Sequence, residues 1–275
     1  MAVTLSLDNE DLAKVYDEVS DSQFNNGCVL IEKLEIKPGD SVLDVGSGTG
    51  RLGRYVIAIL GRSGSYVGID PLAERIKIAN EKNEHPNAVF QIGNAEDLRV
   101  IVDGSVDVVY LNAVFHWVLK KEVALAEIFR ILKPGGKVGI TTAAKELKSV
   151  AKVRVITDRV LQRAPYDKLV RLEDSTQNQH GLTTTALIEL LTQAGFKIKE
   201  VQIKEITRKY QTAKDVIRFS EASSFGNYLN HVPDSLREQA KSDIEAELEK
   251  HRTEDGVQFN GYTIFAVAAK DDLNS

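Results

Sequence analysis

The residues whose types and spacing carry most chemistry lie between positions 44 and 70. Asp44 precedes Gly46-Ser47-Gly48-Thr49-Gly50, and Asp70 closes the apolar run Tyr66-Val67-Gly68-Ile69. Glycines let the backbone take positive φ and come close to a ligand. The helix expected from Leu52, Val56, Ile57 and Leu60 would aim free N–H groups and a positive dipole end at the same place. That is the chemistry of a nucleotide or nucleoside site. Gly48, Gly50 and Gly53 satisfy the G-x-G-x-x-G dinucleotide pattern, and Asp70 stands 17 residues beyond Gly53, near the distance of a ribose-binding acid. Yet that fingerprint should begin directly after its strand, where Gly46 stands, and Gly53 falls inside the expected helix. The plainest alternative is a tight turn, with Asp44 capping the helix.

The run Asp44-Val45-Gly46-Ser47-Gly48-Thr49-Gly50 also resembles the first motif of the class I S-adenosylmethionine-dependent methyltransferases. The resemblance implies that Asp44 orients the loop of Gly46, Ser47, Gly48 and Gly50 and the cationic methionine end of the cofactor, S-adenosyl-L-methionine. It makes Asp70 the ribose acid, with Pro71 and Leu72 offering adenine an apolar face. Gly93-Asn94-Ala95-Glu96-Asp97-Leu98 is similar to the family's Gly-Asp-Ala-Glu segment, so Asn94 and Ala95 are expected at the adenine edge, with the role of Glu96 open. Asn112 would touch the cofactor or the substrate rim. Leu132-Lys133-Pro134-Gly135-Gly136-Lys137 resembles the family's turn before the fifth strand. The likeness spans residues 42–142 by motif and the remainder by pattern alone.

Methyl transfer from a sulfonium needs no metal. It asks the protein to align a nucleophile in line, exclude water and, for some acceptors, remove a proton. His116, in Phe115-His116-Trp117, is the candidate base, since imidazole ordinarily titrates at about 6.5. An orienting or packing histidine is the competing reading. The His-Trp pair is also similar to the branch that methylates small carboxylic acids such as trans-aconitate, where the histidine need not deprotonate anything. The other histidines, 85, 180, 231 and 251, are dispersed, so no metal site is expected. Cys28 stands alone, which argues against arsenite as acceptor, because that chemistry depends on several cysteines. The partner implied is a small organic substrate, a carboxylic acid or a partly apolar molecule. The competing functions are a methyltransferase acting on protein or RNA, a non-catalytic S-adenosylmethionine-binding protein and, furthest off, an NAD(P)-dependent oxidoreductase.

These residues need a scaffold that lines them along one edge. Short apolar runs at 41–45, 66–70, 89–92, 106–110, 137–142, 197–209 and 261–269 read as seven strands, alternating through the first half with amphipathic helices. That pattern predicts an α/β fold, a doubly wound, Rossmann-like, mostly parallel sheet with helices on both faces. Strand ends at the crevice of such a sheet line its ligand site. Outside the core, helices are expected at 9–19, 145–162, 183–194, 213–230 and 234–251, with a polar loop over 163–181. The expected plan is one domain over 1–275: an N-terminal helical cap at 1–40, a cofactor-binding core at 41–142, and substrate-side insertions at 145–181 and 212–232. Tyr16 and Gln23-Phe24 would fold over the cofactor. Tyr166, Arg171, Gln177, His180, Arg218, Phe219, Phe225 and Tyr228 would shape the acceptor pocket, with packing as the alternative for each aromatic.

Composition narrows the partners. The chain's 275 residues carry 40 acidic against 35 Lys and Arg side chains, a formal charge of −5, which gives nucleic acid no global attraction. A single cysteine forms no intramolecular disulfide. No apolar run reaches the roughly 18 residues of a membrane span, and the opening MAVTLSLDNEDL lacks a signal peptide's basic and apolar regions. A cytoplasmic monomer or homodimer is the expectation.

Overall fold

The structure, a computed structural model, describes residues 4–145, 153–174 and 181–271. Its strands are β1 (Ser41–Val45), β2 (Ser65–Asp70), β3 (Ala88–Ile92), β4 (Val106–Asn112), β5 (Leu132–Ala143), β6 (Lys197–Tyr210), β7 (Arg252–Thr253) and β8 (Gly256–Ala269). Seven of them follow the order β3-β2-β1-β4-β5-β8-β6, and the two-residue β7 pairs with β8. The pairs β1/β2, β1/β4, β2/β3 and β4/β5 are parallel, while β8 runs antiparallel to β5. The sheet is therefore mostly parallel, as the alternating pattern requires. Strand order reverses between β1 and β4, and in open α/β sheets ligands bind at such a switch point, outside the strands' carboxyl ends. Asp44, Asp70 and Asn112 all stand at those ends.

The helices are α1 (Glu10–Val19), α2 (Asp21–Leu34), α3 (Arg51–Leu60), α4 (Ala73–Glu81), α5 (Lys121–Ile131), α6 (Val153–Leu161), α7 (Thr184–Gln193), α8 (Ala213–Ser223) and α9 (Asp234–Glu249). One expected helix is shorter than its pattern. The apolar spacing over 213–230 suggests one helix, but α8 stops at Ser223. Phe225 and Gly226 turn left-handed, with φ of 58° and 79°. The Gly226 N–H reaches back to the Glu221 carbonyl at 2.9 Å, the signature of a Schellman stop. The expected helix over 145–162 is α6 where described, and residues 146–152 lie outside the described set, as do Gln177 and His180.

The chain forms two compact units. The core holds, among described residues, 21–145, 181–204 and 263–271; the second unit holds 4–20, 153–174 and 205–262. The expected N-terminal cap is thus divided, α1 falling in the second unit and α2 in the core. Inside the core, β1 buries Val42, Leu43 and Val45 and also its acid, Asp44. The second unit has an apolar cluster of its own, in which Ala240, Ile244 and Leu248 of α9 meet Ile156, Val160 and Tyr228. Those three α9 positions are fully buried and four apart, one dry stripe on a charged helix.

Candidate functional site

The loop after β1 is shaped by glycines that other residues could not replace. Gly46, Gly48 and Gly50 have φ of 80°, 55° and 73°. A Cβ on Gly46 would lie 2.2 Å from a Val114 methyl, so the loop after β4 seats directly on the glycine turn. The Gly46 and Ser47 N–H groups donate to the Ile69 carbonyl at 2.7 and 2.9 Å, fastening the turn to β2. Gly50 is the left-handed N-cap of α3 and makes no side-chain cap. Asp44 does not cap that helix.

Asp70 joins the loops after β1 and β2. Its Oδ2 accepts from the Gly48 N–H and its Oδ1 from the Leu72 N–H, each at 2.9 Å. At 6% exposure it is nearly closed off, and Leu72 is buried beside it while Pro71 is exposed.

Asp44 is 2% exposed and hydrogen-bonded on one side only. Its Oδ2 accepts from the Tyr66 hydroxyl at 2.7 Å and the Tyr110 hydroxyl at 2.8 Å. Its Oδ1 accepts no bond among the described residues. Burial pushes this carboxyl up to about 7; the two phenols oppose the shift and the charge of Asp70 adds to it. Burial and Asp44 together drive both phenols well above their usual range. Sequence reasoning missed these tyrosines. The signal was there: two phenols in buried strands need partners, and Asp44 is the register partner of Tyr110. Gly53 is explained by the same group, since a Cβ there would lie 2.3 Å from the Tyr66 hydroxyl.

The end of β4 carries the remaining candidates. Asn112 donates to the Gln23 carbonyl at 2.9 Å and accepts from the Thr141 hydroxyl at 2.7 Å, so its side chain ties α2 to β4 and β5. Ala113 is left-handed, with φ of 59°, held by its N–H to the Thr141 hydroxyl at 2.8 Å. After Val114 comes a single 3₁₀ turn, Phe115–Trp117, in which Phe115 is fully buried and His116 half-buried. His116 Nδ1 lies 3.3 Å from the Thr142 hydroxyl, and its ring is 5.3 Å from that of Trp117. Glu96 anchors the loop that follows His116, its Oε1 accepting from the Leu119 and Lys120 N–H groups at 3.2 and 3.1 Å. Asn94 is exposed and its Oδ1 accepts from the Glu96 N–H, while Ala95 is buried.

The core thus gathers Asp44, the glycine turn, Asp70, Asn94, Asn112 and His116 along the carboxyl edge of its sheet. Tyr16 lies on α1, in the second unit. Among the described residues no three His, Cys, Asp or Glu side chains form a metal site, and no helix is long and apolar enough to cross a membrane.

A family model described as a methyltransferase domain matches residues 43–140, the stretch from β1 into β5. A methyltransferase of Mycobacterium bovis is 30% identical over 183 residues, 62% of this chain and 72% of that protein. The chain belongs to the class I S-adenosylmethionine-dependent methyltransferases. An arsenite methyltransferase of Aquipseudomonas alcaligenes is 33% identical over 190 residues, which cover 65% of this chain and 53% of that protein. The chain spans about half the length of the arsenite methyltransferases of Aquipseudomonas alcaligenes and Halobacterium salinarum. In fold it is similar to phosphoethanolamine N-methyltransferase 2 of Haemonchus contortus, solved with S-adenosyl-L-methionine. The TM-score is 0.59 at 16% identity, over 96% of this chain and 58% of that one.

The residues of this methyltransferase-family site suit the cofactor on their own evidence. Asp44 keeps one oxygen open to a cation or donor. Three buried oxygens, Ser47 Oγ, Ser22 Oγ and Gln23 Oε1, have no partner among the described residues. Ser47 belongs to the glycine turn, and Gln23 holds Asn112 through its carbonyl. Buried polar groups in native proteins are nearly always satisfied, so such a set marks a place for a polar ligand.

Proposed function

We propose that this chain is an S-adenosyl-L-methionine-dependent methyltransferase whose acceptor is a small organic molecule. The observation that carries the reading is Asp44: a buried carboxylate, one side held by two phenols and the other open, directly before a left-handed glycine turn. When bound, the cofactor supplies an activated methyl group on a sulfonium. Asp44 and the turn of Gly46, Ser47, Gly48 and Gly50 would hold its cationic amino-acid end. Asp70 would take the ribose, and Leu72, Asn94 and Ala95 would receive the adenine. Asn112 braces the wall of the site.

The acceptor is proposed to meet His116. Its ring is oriented by Thr142 and Trp117 and is only half-buried, which suits a base or an anchor for an anionic group. The likeness to arsenite methyltransferases does not bring arsenite with it. A soft, thiophilic acceptor calls for several thiolates, and Cys28 stands alone with its thiol pushed up by burial.

A screen for transfer of a tritiated methyl group to metabolite fractions tests the activity, and methylation of protein or RNA only would overturn the small-molecule reading. With an acceptor in hand, pH-resolved single-turnover kinetics assigns His116. If it is a base, His116→Asn slows the chemical step at unchanged cofactor affinity, and the wild-type rate rises as neutral imidazole forms. If it anchors an anion, the variant raises KM, and wild-type substrate binding weakens with rising pH. A folded variant with neither change removes both roles.

A further inference from the structure

Binding the cofactor would employ Asp44 but does not itself require two tyrosines from two different strands to converge on it. Tyr66 comes from β2 and Tyr110 from β4, on either side of β1, and both hydroxyls bond the same oxygen. All three side chains are essentially sealed, at 1%, 0% and 2% exposure for Tyr66, Tyr110 and Asp44. The arrangement is defended by a further residue, because Gly53 of α3 leaves the room that the Tyr66 hydroxyl occupies. A carboxylate oxygen holding two donors has no capacity left for a ligand. The other oxygen has all of its own.

We infer that Tyr66 and Tyr110 are positioning residues, which fix Asp44 as a one-sided carboxylate and favour its ionised form so that the open oxygen binds the cationic end of the cofactor. The inference rests on the proposed cofactor reading. Neither tyrosine touches the ligand; both act through Asp44. The charged and titratable groups around the carboxyl are Tyr66 and Asp70 from β2, Tyr110 from β4, and Arg54 of α3, which acts on Tyr66. Burial and Asp70 favour the neutral acid, while the two phenols favour the anion. The balance falls at about 7, so each phenol matters most in the pH range where the protein would work. A hydrogen bond to a charged group is worth enough to move such a titration by about one pH unit.

The test begins without any ligand. In protein labelled with ¹³C-aspartate, the Asp44 carboxyl resonance is identified by its loss in Asp44→Asn and followed with pH. The midpoint is expected about one pH unit higher in Tyr110→Phe than in the wild type, and likewise in Tyr66→Phe, which serves if the first variant fails to fold. S-adenosylmethionine affinity is then measured by calorimetry at two pH values. A one-unit shift predicts about tenfold weaker binding than wild type at pH 6 and affinity within about twofold at pH 9. The cofactor's own titration is common to both proteins and cancels. A midpoint that does not move, or affinity lost by the same factor at both pH values, overturns the inference and makes the tyrosines mere packing. If the resonance shifts as expected but the wild type binds no S-adenosylmethionine, the positioning role stands and the cofactor reading alone falls.

Discussion

In the second unit Asn227 is fully buried, and its amide hydrogens reach the carbonyls of Thr4, Ser224 and Phe225; in the core Asp44 is almost as buried and keeps one oxygen without a donor. Other pairs of the second unit are closed in the same way. The Thr157 and Tyr228 hydroxyls satisfy each other at 2.8 Å, and Tyr166 donates to Asp243. In the core, Ser47, Ser22 and Gln23 each present a buried oxygen that finds nothing among the described residues. Polar groups closed on one another hold architecture together. Polar groups left open, at the carboxyl edge of a parallel sheet, are available to a ligand. The contrast is not absolute: in the second unit Arg208 Nε, Asn230 Oδ1 and both ring nitrogens of His231 are also buried without partners among the described residues. Burial pushes the His231 imidazole below the ordinary value, which keeps it neutral and tolerable there.

The largest effect expected is that of Asp44→Asn. Removing one charge of a buried pair typically costs about 3–5 kcal/mol, so cofactor affinity should fall by about two orders of magnitude or more in calorimetry. The amide oxygen can still accept from both phenols, so the ligand-free fold should not suffer. The wild-type carboxyl, pushed up to about 7 in the folded chain, binds more protons than its unfolded counterpart between about 4 and 7. Stability therefore falls as pH rises through that window. Asp44→Asn removes this loss, and its thermal midpoint at pH 8 should equal or exceed that of the wild type. A variant less stable at pH 8 would place Asp44 with the architectural groups.

Asp70→Ala should do both kinds of damage, because Asp70 is closed on two backbone N–H groups and is also proposed to take the ribose. Loss of its bonds orphans the Gly48 and Leu72 N–H groups, costing about 1–3 kcal/mol each where they stay dry. Cofactor affinity should drop at least tenfold, about 1.4 kcal/mol, with a measurable fall in denaturant midpoint. Weaker binding without any loss of stability would separate the two roles. The smallest effect is expected from His231→Phe. Replacing an unpartnered buried ring with an apolar one should leave stability at pH 8 unchanged or slightly higher, with cofactor affinity intact. As pH falls below about 6.5 the unfolded imidazole gains a proton that the buried one resists, so the wild type loses stability there and the variant loses less. A loss of cofactor affinity in His231→Phe would break the contrast.

The core was legible in the sequence because its signals are local. Apolar runs and glycine turns alternate with amphipathic helices, and the acids and glycines that shape the site sit next to the strands that carry them. Gly46, Gly48 and Gly50 announce positive φ by their type alone. What escaped notice depends on pairing across strands: Tyr66 and Tyr110 lie 22 and 66 positions from Asp44 and meet it only because β1 runs between β2 and β4. The end of α8 escaped for a different reason. Phe225 reads as one more apolar helical position, and only its left-handed backbone, paired with Gly226, reveals the stop. The assignment of Glu96 to the loop after His116 likewise needed the fold, since its partners are backbone N–H groups 23 and 24 residues away.

Everything proposed for this chain depends on the open side of Asp44 and the glycine turn after it forming a site for S-adenosyl-L-methionine. The decisive measurement is calorimetric titration of the purified chain at pH 8, with S-adenosylmethionine in one series and NAD in a parallel one. Saturable binding of S-adenosylmethionine at one site is expected, weakened by about two orders of magnitude or more in a folded Asp44→Asn variant, with no heat from NAD. A folded wild-type chain that takes up NAD, or that gives no heat with S-adenosylmethionine, would contradict it.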